Sequence, residues 1–214
     1  MKMPKSIRRI IATTIAVHSV ACFSTAVLAA EKPAAAFEGA EVLIRPEGYR
    51  AWVFVGSSLG LEYDPKAEKT APGLAEFKNV YIDPAAFREF AESGKFPEGT
   101  VFILETASSA TMKEPGLQGT VQKDYIGLSA AVKDTRRFKE GWAYFSFKEG
   151  TGKFRQSAKP AAKSACYDCH RKHGAIDNVF TQFYPVLRAA APKSSSAPPN
   201  QNRPTIPDAR SHVP

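Results

Sequence analysis

Near its C-terminal end the chain reads Ala165-Cys166-Tyr167-Asp168-Cys169-His170, and this C-x-x-C-H spacing restricts the possible folds more than any other stretch. On a helical turn, positions 166, 169 and 170 stand at i, i+3 and i+4 and share one face. Two thiols and an imidazole on a common face match the attachment pattern of a c-type haem. The thiols add to its two vinyl groups, and the histidine that follows binds its iron. Ser164 is expected to cap this helix, and Asp168 suits its positive end. Zinc is the first rival, with Cys166, Cys169, His170 and His173 as ligands. Those residues crowd into one short segment with no second loop to complete a tetrahedron. A thioredoxin-like redox pair is the second rival, but it requires C-x-x-C between a strand and a long helix of a βαβ unit. That pattern is missing, so one covalent haem c is the reading adopted.

The N-terminus reads as a secretory signal over residues 1–29. Lys2, Lys5, Arg8 and Arg9 form its basic start, residues 10–20 its apolar stretch, and Val27-Leu28-Ala29 its small-residue cleavage site. The apolar run is short for a membrane span. Cys22 raises a lipoprotein alternative, which Ser19, where leucine is usual, argues against. Without Cys22 the exported chain keeps only the two motif cysteines, leaving none for a structural disulfide. Export to the periplasm fits the chemistry, because bacterial c-type haem is attached outside the cytoplasmic membrane. The formal charge of +8 includes the four bases of the signal. The excess left on the exported chain is modest and does not argue for nucleic acid. Lys159, Lys163, Arg171 and Lys172 gather near the haem motif. They form either a guide for an acidic periplasmic redox partner or a solvated rim.

The 43% hydrophobic content of the 214 residues suits one globular domain, placed at residues 30–188. Residues 31–46 show no clear period. Residues 49–55 are aromatic and β-branched and predict a strand, followed by a loop over 56–73. Residues 77–82 predict a second strand. Asp83-Pro84 then opens a helix with Phe87, Phe90 and Ala91 as its buried stripe, closed by Gly94. Residues 99–104 predict a buried strand, and 107–119 a hairpin or long loop. Between Tyr125 and Val132, Ile126, Leu128 and Val132 point one way while Gly127, Ser129 and Ala131 point the other. That small-residue face either makes room for a flat cofactor or packs on another strand. Residues 134–138 read as a polar turn or short helix, and 142–147 as a further strand. Asp177 is expected to cap a last helix, with Val179, Phe180, Phe183 and Leu187 on one side and Pro185 bending or splitting it. Residues 189–214, rich in alanine, proline and serine, read as a disordered tail. The expected fold is therefore mainly β (α+β): an antiparallel sheet with one mid-chain helix and a helical C-terminal segment carrying the haem. A four-helix bundle, as in the cytochromes c prime, is the alternative, but the middle of the chain lacks long 3.6-period stripes.

The residue opposite His170 decides the function. His18 leaves with the signal, His212 falls in the tail, and His173 shares His170's side of the haem. Met112 is the single methionine left after export, and it is the candidate sixth ligand of a plain electron carrier. The preferred reading is five-coordinate iron with an open site for a small diatomic or nitrogen-oxide ligand. Phe77, Phe102 and Leu104 are the candidates for an apolar distal wall, each equally able to be ordinary sheet core.

With these residues set out, the chain resembles the cytochrome P-460 family, which includes the cytochromes c-prime-beta. The resemblance rests on Tyr49-Arg50-Ala51-Trp52, Val80-Tyr81-Ile82-Asp83-Pro84, Gly99-Thr100-Val101, Asp124-Tyr125-Ile126-Gly127-Leu128 and Val132-Lys133-Asp134. It continues through Trp142-Ala143-Tyr144-Phe145, the haem motif, and residues 179–188, and so runs in order over residues 49–188. It implies a mainly β fold, a homodimer, one c-type haem, His170 as proximal ligand and a vacant distal site. One branch of the family oxidises hydroxylamine, with a lysine cross-linked to the haem edge and a distal glutamate assisting proton transfer. The other lacks the cross-link and binds gases such as nitric oxide. The lysine position falls on Leu104 and the glutamate position on Ser129. Leucine has no nucleophile, and serine is a poor base without an activating neighbour. Lys113 or Lys123 remains as an alternative source of an amine. The resemblance therefore implies the uncross-linked branch. A haem oxidoreductase acting on small nitrogen compounds and a Met112-ligated electron carrier stay open beside it.

Overall fold

Aromatic and β-branched runs separated by short turns pair most readily with their neighbours in the chain. The computed structural model shows this over the residues it describes, 33–61, 75–150 and 152–192. The signal expected at 1–29 lies outside the described residues, as do residues 62–73 of the expected loop and the tail from 193 onward. The elements are β1 (Ala36–Glu38), β2 (Val42–Ile44), β3 (Val53–Leu59), β4 (Phe77–Ile82), α1 (Pro84–Ser93), β5 (Val101–Glu114), β6 (Leu117–Lys133), β7 (Trp142–Ser146), β8 (Lys148–Gly150), β9 (Lys153–Phe154), β10 (Ser157–Ala158), α2 (Tyr167–His173) and α3 (Pro185–Ala190). Five strands form an antiparallel meander in the order β3-β4-β5-β6-β7, while β1, β2 and β10 make a smaller sheet. The fold is mainly β and antiparallel, as the sequence pattern predicts.

The large sheet separates two cores. On one face Val101, Ile103, Leu128, Ala130, Val132 and Phe145 pack with Leu43 of β2 and Ala158 of β10. On the other, Val80, Ile82, Phe102 and Tyr144 pack with Ala86 and Phe90 of α1, Val179, and Leu187 of α3. Helix α1 follows its sequence signals. The Asp83 carboxylate accepts from the Ala86 N–H at 2.8 Å, Pro84 stands in the first turn, and Gly94 closes the helix at φ 72°. Asp83 also accepts from the Val101 N–H at 2.9 Å, tying the helix start to β5.

Several expectations are corrected. Residues 49–51 form a 3₁₀ turn rather than a strand, and β3 begins at Val53 and runs to Leu59 through the first residues of the expected loop. The turn follows Gly48, at φ 69°, and is pinned where Tyr49 and Arg50 both donate to the Glu105 carboxylate. Gly56 tolerates its strand position because Tyr184 and Pro185 pack over it, each 3.4 Å from where a Cβ would stand. Of the hairpin or long loop expected at residues 107–119, the hairpin is what forms. The β5–β6 ladder continues to Glu114↔Leu117 and turns at Pro115-Gly116, with Gly116 at φ 79°. That P-G dipeptide is the turn signal, and the polar residues before it belong to an exposed two-stranded arm. At the C-terminus the helix expected to bend or split at Pro185 is split, into a 3₁₀ turn at Thr181–Phe183 and α3. Pro185, lacking an N–H, opens α3. Helix α3 also includes residues 189 and 190, which the expected boundary places in the tail.

Candidate haem-binding site

Side chains in a sheet alternate in direction, so the register states which residues share a face. Cross-strand partners run Val80–Leu104–Ser129–Ser146 in one row and Ile82–Phe102–Ala131–Tyr144 in the next. All but Ile82 line a cavity whose other side is formed by Cys166, Cys169, His170, Val179, Phe180 and Tyr184. Its empty space, about 1010 Å³, includes the open mouth. The small residues Ser129 and Ala131 line the cavity together with the haem motif, so the small face of β6 borders this space.

The motif stands on α2 with Cys166 at the N-cap position. Ser164 sits in a preceding 3₁₀ turn, Lys163–Ala165, and caps nothing; Asp168 lies in the first turn of α2, as expected. His170 is held from several sides. Its Nδ1 is 2.9 Å from the carbonyl oxygen of Asn178. A carbonyl only accepts, so Nδ1 carries the proton and Nε2 keeps a lone pair for a metal. Burial lowers the imidazole pKa, partly opposed by that hydrogen bond, and so favours the neutral ligand form. The ring lies between Tyr144 and Phe180, at centroid distances of 4.3 and 4.5 Å. Burial also raises the Cys166 thiol, with Cys169 adding to the effect.

The Asn178 carbonyl reaches His170 because the backbone is bent at two consecutive left-handed residues, Asp177 at φ 45° and Asn178 at φ 62°. Asn and Asp tolerate that region better than other side chains. The Asp177 carboxylate accepts from Lys133 Nζ at 2.7 Å and from Trp142 Nε1 at 3.1 Å. It therefore anchors the loop to β6 and β7 rather than capping a helix. Gln182 closes the other side, donating to the His173 carbonyl at 2.8 Å and accepting from the Ala175 N–H at 3.2 Å. Gly174 is required for space. A Cβ there would stand 2.6 Å from the Asn178 carbonyl carbon and 2.7 Å from the His170 oxygen.

Of the residues singled out from sequence, Cys166, Cys169, His170, Phe102 and Leu104 all line the cavity. Phe77 does not. It lies an odd number of residues from Val80 and so faces the other side of β4. Met112 is on the exposed arm, with Lys113 beside it and Lys123 on the paired strand, and none of the three lines the cavity. His173 is exposed at the end of α2, while His18 and His212 lie outside the described residues. Among the described residues no three His, Cys, Asp or Glu side chains converge as a metal site, so the zinc alternative finds no tetrahedron. Sequence reasoning missed Tyr144, Asn178, Asp177 and Gln182 as parts of the site. Only Tyr144 carried a signal, as an aromatic residue of a predicted strand. Asn178 acts through its backbone, which no side-chain pattern records.

The fit of a haem to this cleft has a test in the protein itself. Tyr144 is 8% exposed, and its hydroxyl is the one buried side-chain polar atom without a partner among the described residues. Such an atom costs about 1–3 kcal/mol when left unpaired. Together with an apolar cleft, a neutral imidazole and two adjacent thiols, it describes a wall shaped for a large group that also carries polar edges. The fold and site are those of a β-sheet-based haem cytochrome. More closely, the chain belongs to the family described as Cytochrome P460, whose profile matches residues 46–181. No curated protein matches the chain.

Proposed function

We propose that this chain is an exported c-type cytochrome with a single covalent haem and an open distal position, and that it binds, or handles by electron transfer, nitric oxide or a related small nitrogen species. When bound, the haem supplies an iron centre that takes small ligands and changes its oxidation state by one electron. The rest is the work of the protein's own residues. Cys166 and Cys169 hold the group through thioether bonds. His170 offers Nε2, and the Asn178 carbonyl fixes the ring and raises its basicity. Val80, Phe102 and Leu104 form a hydrocarbon wall that favours neutral diatomics over water and anions.

One observation carries the reading. Among the described residues, those lining the cavity include a single imidazole and neither methionine nor lysine. Leu104 occupies the wall where the resemblance places the cross-linking lysine, which supports the uncross-linked branch over hydroxylamine oxidation. The test is the visible spectrum of the purified protein, ferric and ferrous, with and without nitric oxide. High-spin, five-coordinate iron that takes up the gas, with haem resisting acid-acetone extraction, is expected. A low-spin six-coordinate spectrum would overturn the open site, and a strongly red-shifted ferrous Soret band would restore the cross-linked alternative.

A homodimer belongs to the same proposal. The arm of β5 and β6 exposes Met112, Leu117 and Val121, and Phe54, Leu59 and Tyr125 are exposed nearer the sheet. Apolar surface of this kind is more often covered than left in water. An acidic periplasmic electron-transfer partner is also proposed. Lys159, Arg171 and Lys172 are exposed, whereas Lys163 is already paired with Glu140.

A further inference from the structure

The carbonyl that holds His170 takes its direction from a turn that needs outside support. Residues 176–179 close on themselves: the Val179 N–H donates to the Ile176 carbonyl at 2.8 Å, and the Ile176 N–H to the Val179 carbonyl at 3.4 Å. The two central residues, Asp177 at φ 45° and Asn178 at φ 62°, both have positive φ, the pattern of a type I′ turn. Such turns favour glycine at the second central place. Neither residue is glycine here, and left-handed side chains persist only where the surroundings hold them. That hold runs through one carboxylate. Asp177 accepts from Lys133 Nζ at 2.7 Å and from Trp142 Nε1 at 3.1 Å. Lys133 of β6, half-buried, and Trp142 of β7, buried, are direct cross-strand partners. Lys133 is itself fixed by the Phe96 carbonyl at 2.7 Å. The direction of the Asn178 carbonyl is thus set from two paired strands of the sheet.

We infer that Asp177 is a positioning residue for the axial ligand. Held by Lys133 and Trp142, its carboxylate keeps the Asn178 carbonyl against the Nδ1–H of His170, and so sets how strongly that imidazole donates to iron. This rests on the reading proposed above that His170 binds the haem iron. An imidazole whose other ring N–H is hydrogen-bonded is the more basic ligand. A stronger axial donor favours the ferric state, so the arrangement holds the midpoint potential down. Trp142 serves two sides at once: its ring lines the cavity and its N–H holds Asp177. The cavity wall and the axial ligand therefore share a support.

The experiment uses the full haem-loaded protein and the variants Asp177→Gly, Asp177→Asn, Lys133→Met and Trp142→Phe. The iron–histidine stretch of the ferrous protein and the midpoint potential are measured. Asp177→Gly keeps the positive φ and removes both anchors without backbone strain. Its stretch should shift to lower frequency and its potential to a higher value. Asp177→Asn keeps a side-chain acceptor and the tolerance for the bend, so most of the parental stretch should return. Lys133→Met and Trp142→Phe each remove one donor, and each should lower the stretch by less than Asp177→Gly. Charge separates this from a field effect. Asp177→Gly deletes a negative charge, Lys133→Met a positive one and Trp142→Phe none, yet positioning moves all three stretches the same way. A parental stretch in Asp177→Gly would overturn the assignment. Potentials that follow the deleted charge while every stretch stays parental would overturn it too, and both results leave the open site intact. A six-coordinate parent would instead sink the open site. The potential of the uncharged Trp142→Phe change then decides: a rise supports the assignment and a parental value overturns it.

Discussion

Gly174 is the position where one added methyl group tests the architecture of the site most sharply. Its backbone, at φ −63° and ψ 129°, is open to any residue, so conformation does not explain the glycine. Space does. A Cβ would lie 2.6 and 2.8 Å from the carbonyl carbon and Cα of Asn178 and 2.7 Å from the His170 oxygen, and all three are backbone atoms that cannot rotate away. Gly174→Ala must therefore push the 177–178 bend from α2. Overpacking of this kind costs about 1–3 kcal/mol, and the His170–Asn178 hydrogen bond lost with it about 0.5–1.5 kcal/mol. A total near 2–4 kcal/mol corresponds to a melting temperature lower by roughly 5–15 °C for a domain of this size. Calorimetry of the haem-loaded variant reads that loss, and resonance Raman reads the local change. The iron–histidine stretch should fall in frequency, because an imidazole whose Nδ1–H is unpaired is a weaker donor. Asn178→Gly is the control, since glycine keeps both the φ of 62° and the carbonyl, and its iron–histidine band should match the parent. A Gly174→Ala protein with parental melting temperature and parental stretch would refute the argument.

Two further outcomes follow from the same geometry. Met112→Ala should leave the ferric and ferrous spectra unchanged, because eight residues along an extended strand put Met112 roughly 26 Å beyond Leu104; a shifted spectrum would revive the electron-carrier reading. At alkaline pH the protein should lose stability above about pH 10. Burial raises the phenol pKa values of Tyr49 and Tyr144, with Glu105 contributing at Tyr49. The unfolded chain then gives up those protons first, so unfolding is favoured as pH climbs past the ordinary tyrosine value. Tyrosinate absorbance should appear in two stages, the buried share only on unfolding, and a single-stage titration of the native protein would contradict the burial.

The site was most legible where chemistry is written in side chains at fixed spacing. Cys166, Cys169 and His170 needed only the helical period, and Asp83-Pro84 needed only capping rules. The small face at Ser129 and Ala131 was legible through strand alternation. Phe77 was misplaced although the same rule excludes it, because the rule needs a reference residue and only the fold identifies Val80 as facing the cleft. The arm was legible only as a hairpin or long loop. Over residues 111–125 its strands are exposed on both faces, so they show no apolar alternation, and pairing of the two strands alone holds them extended. The bend at Asp177-Asn178 was illegible in principle, since Lys133 and Trp142 hold it from far along the chain.

Register is what makes the cavity neutral. Leu104 faces the cleft, and the next residue, Glu105, is 2% exposed on the opposite face of β5. A slip of one residue would exchange them, because the side-chain period of a strand is two. It would set a carboxylate in the cleft and break its apolar wall. The side chain that such a slip would misplace is the one that opposes it. Tyr49 and Arg50 both donate to Glu105, with Arg50 also over the ring of Tyr125, so β5 is tied to the turn before β3 and to β6. The bulges on β3, between Phe54 and Gly56, and on β6, between Gly127 and Gln122, absorb irregularity without displacing the Val80–Leu104–Ser129 row. A buried acid on the far face thus secures an apolar pocket on the near one, and the tyrosine-arginine pair that binds it shapes that pocket without lining it.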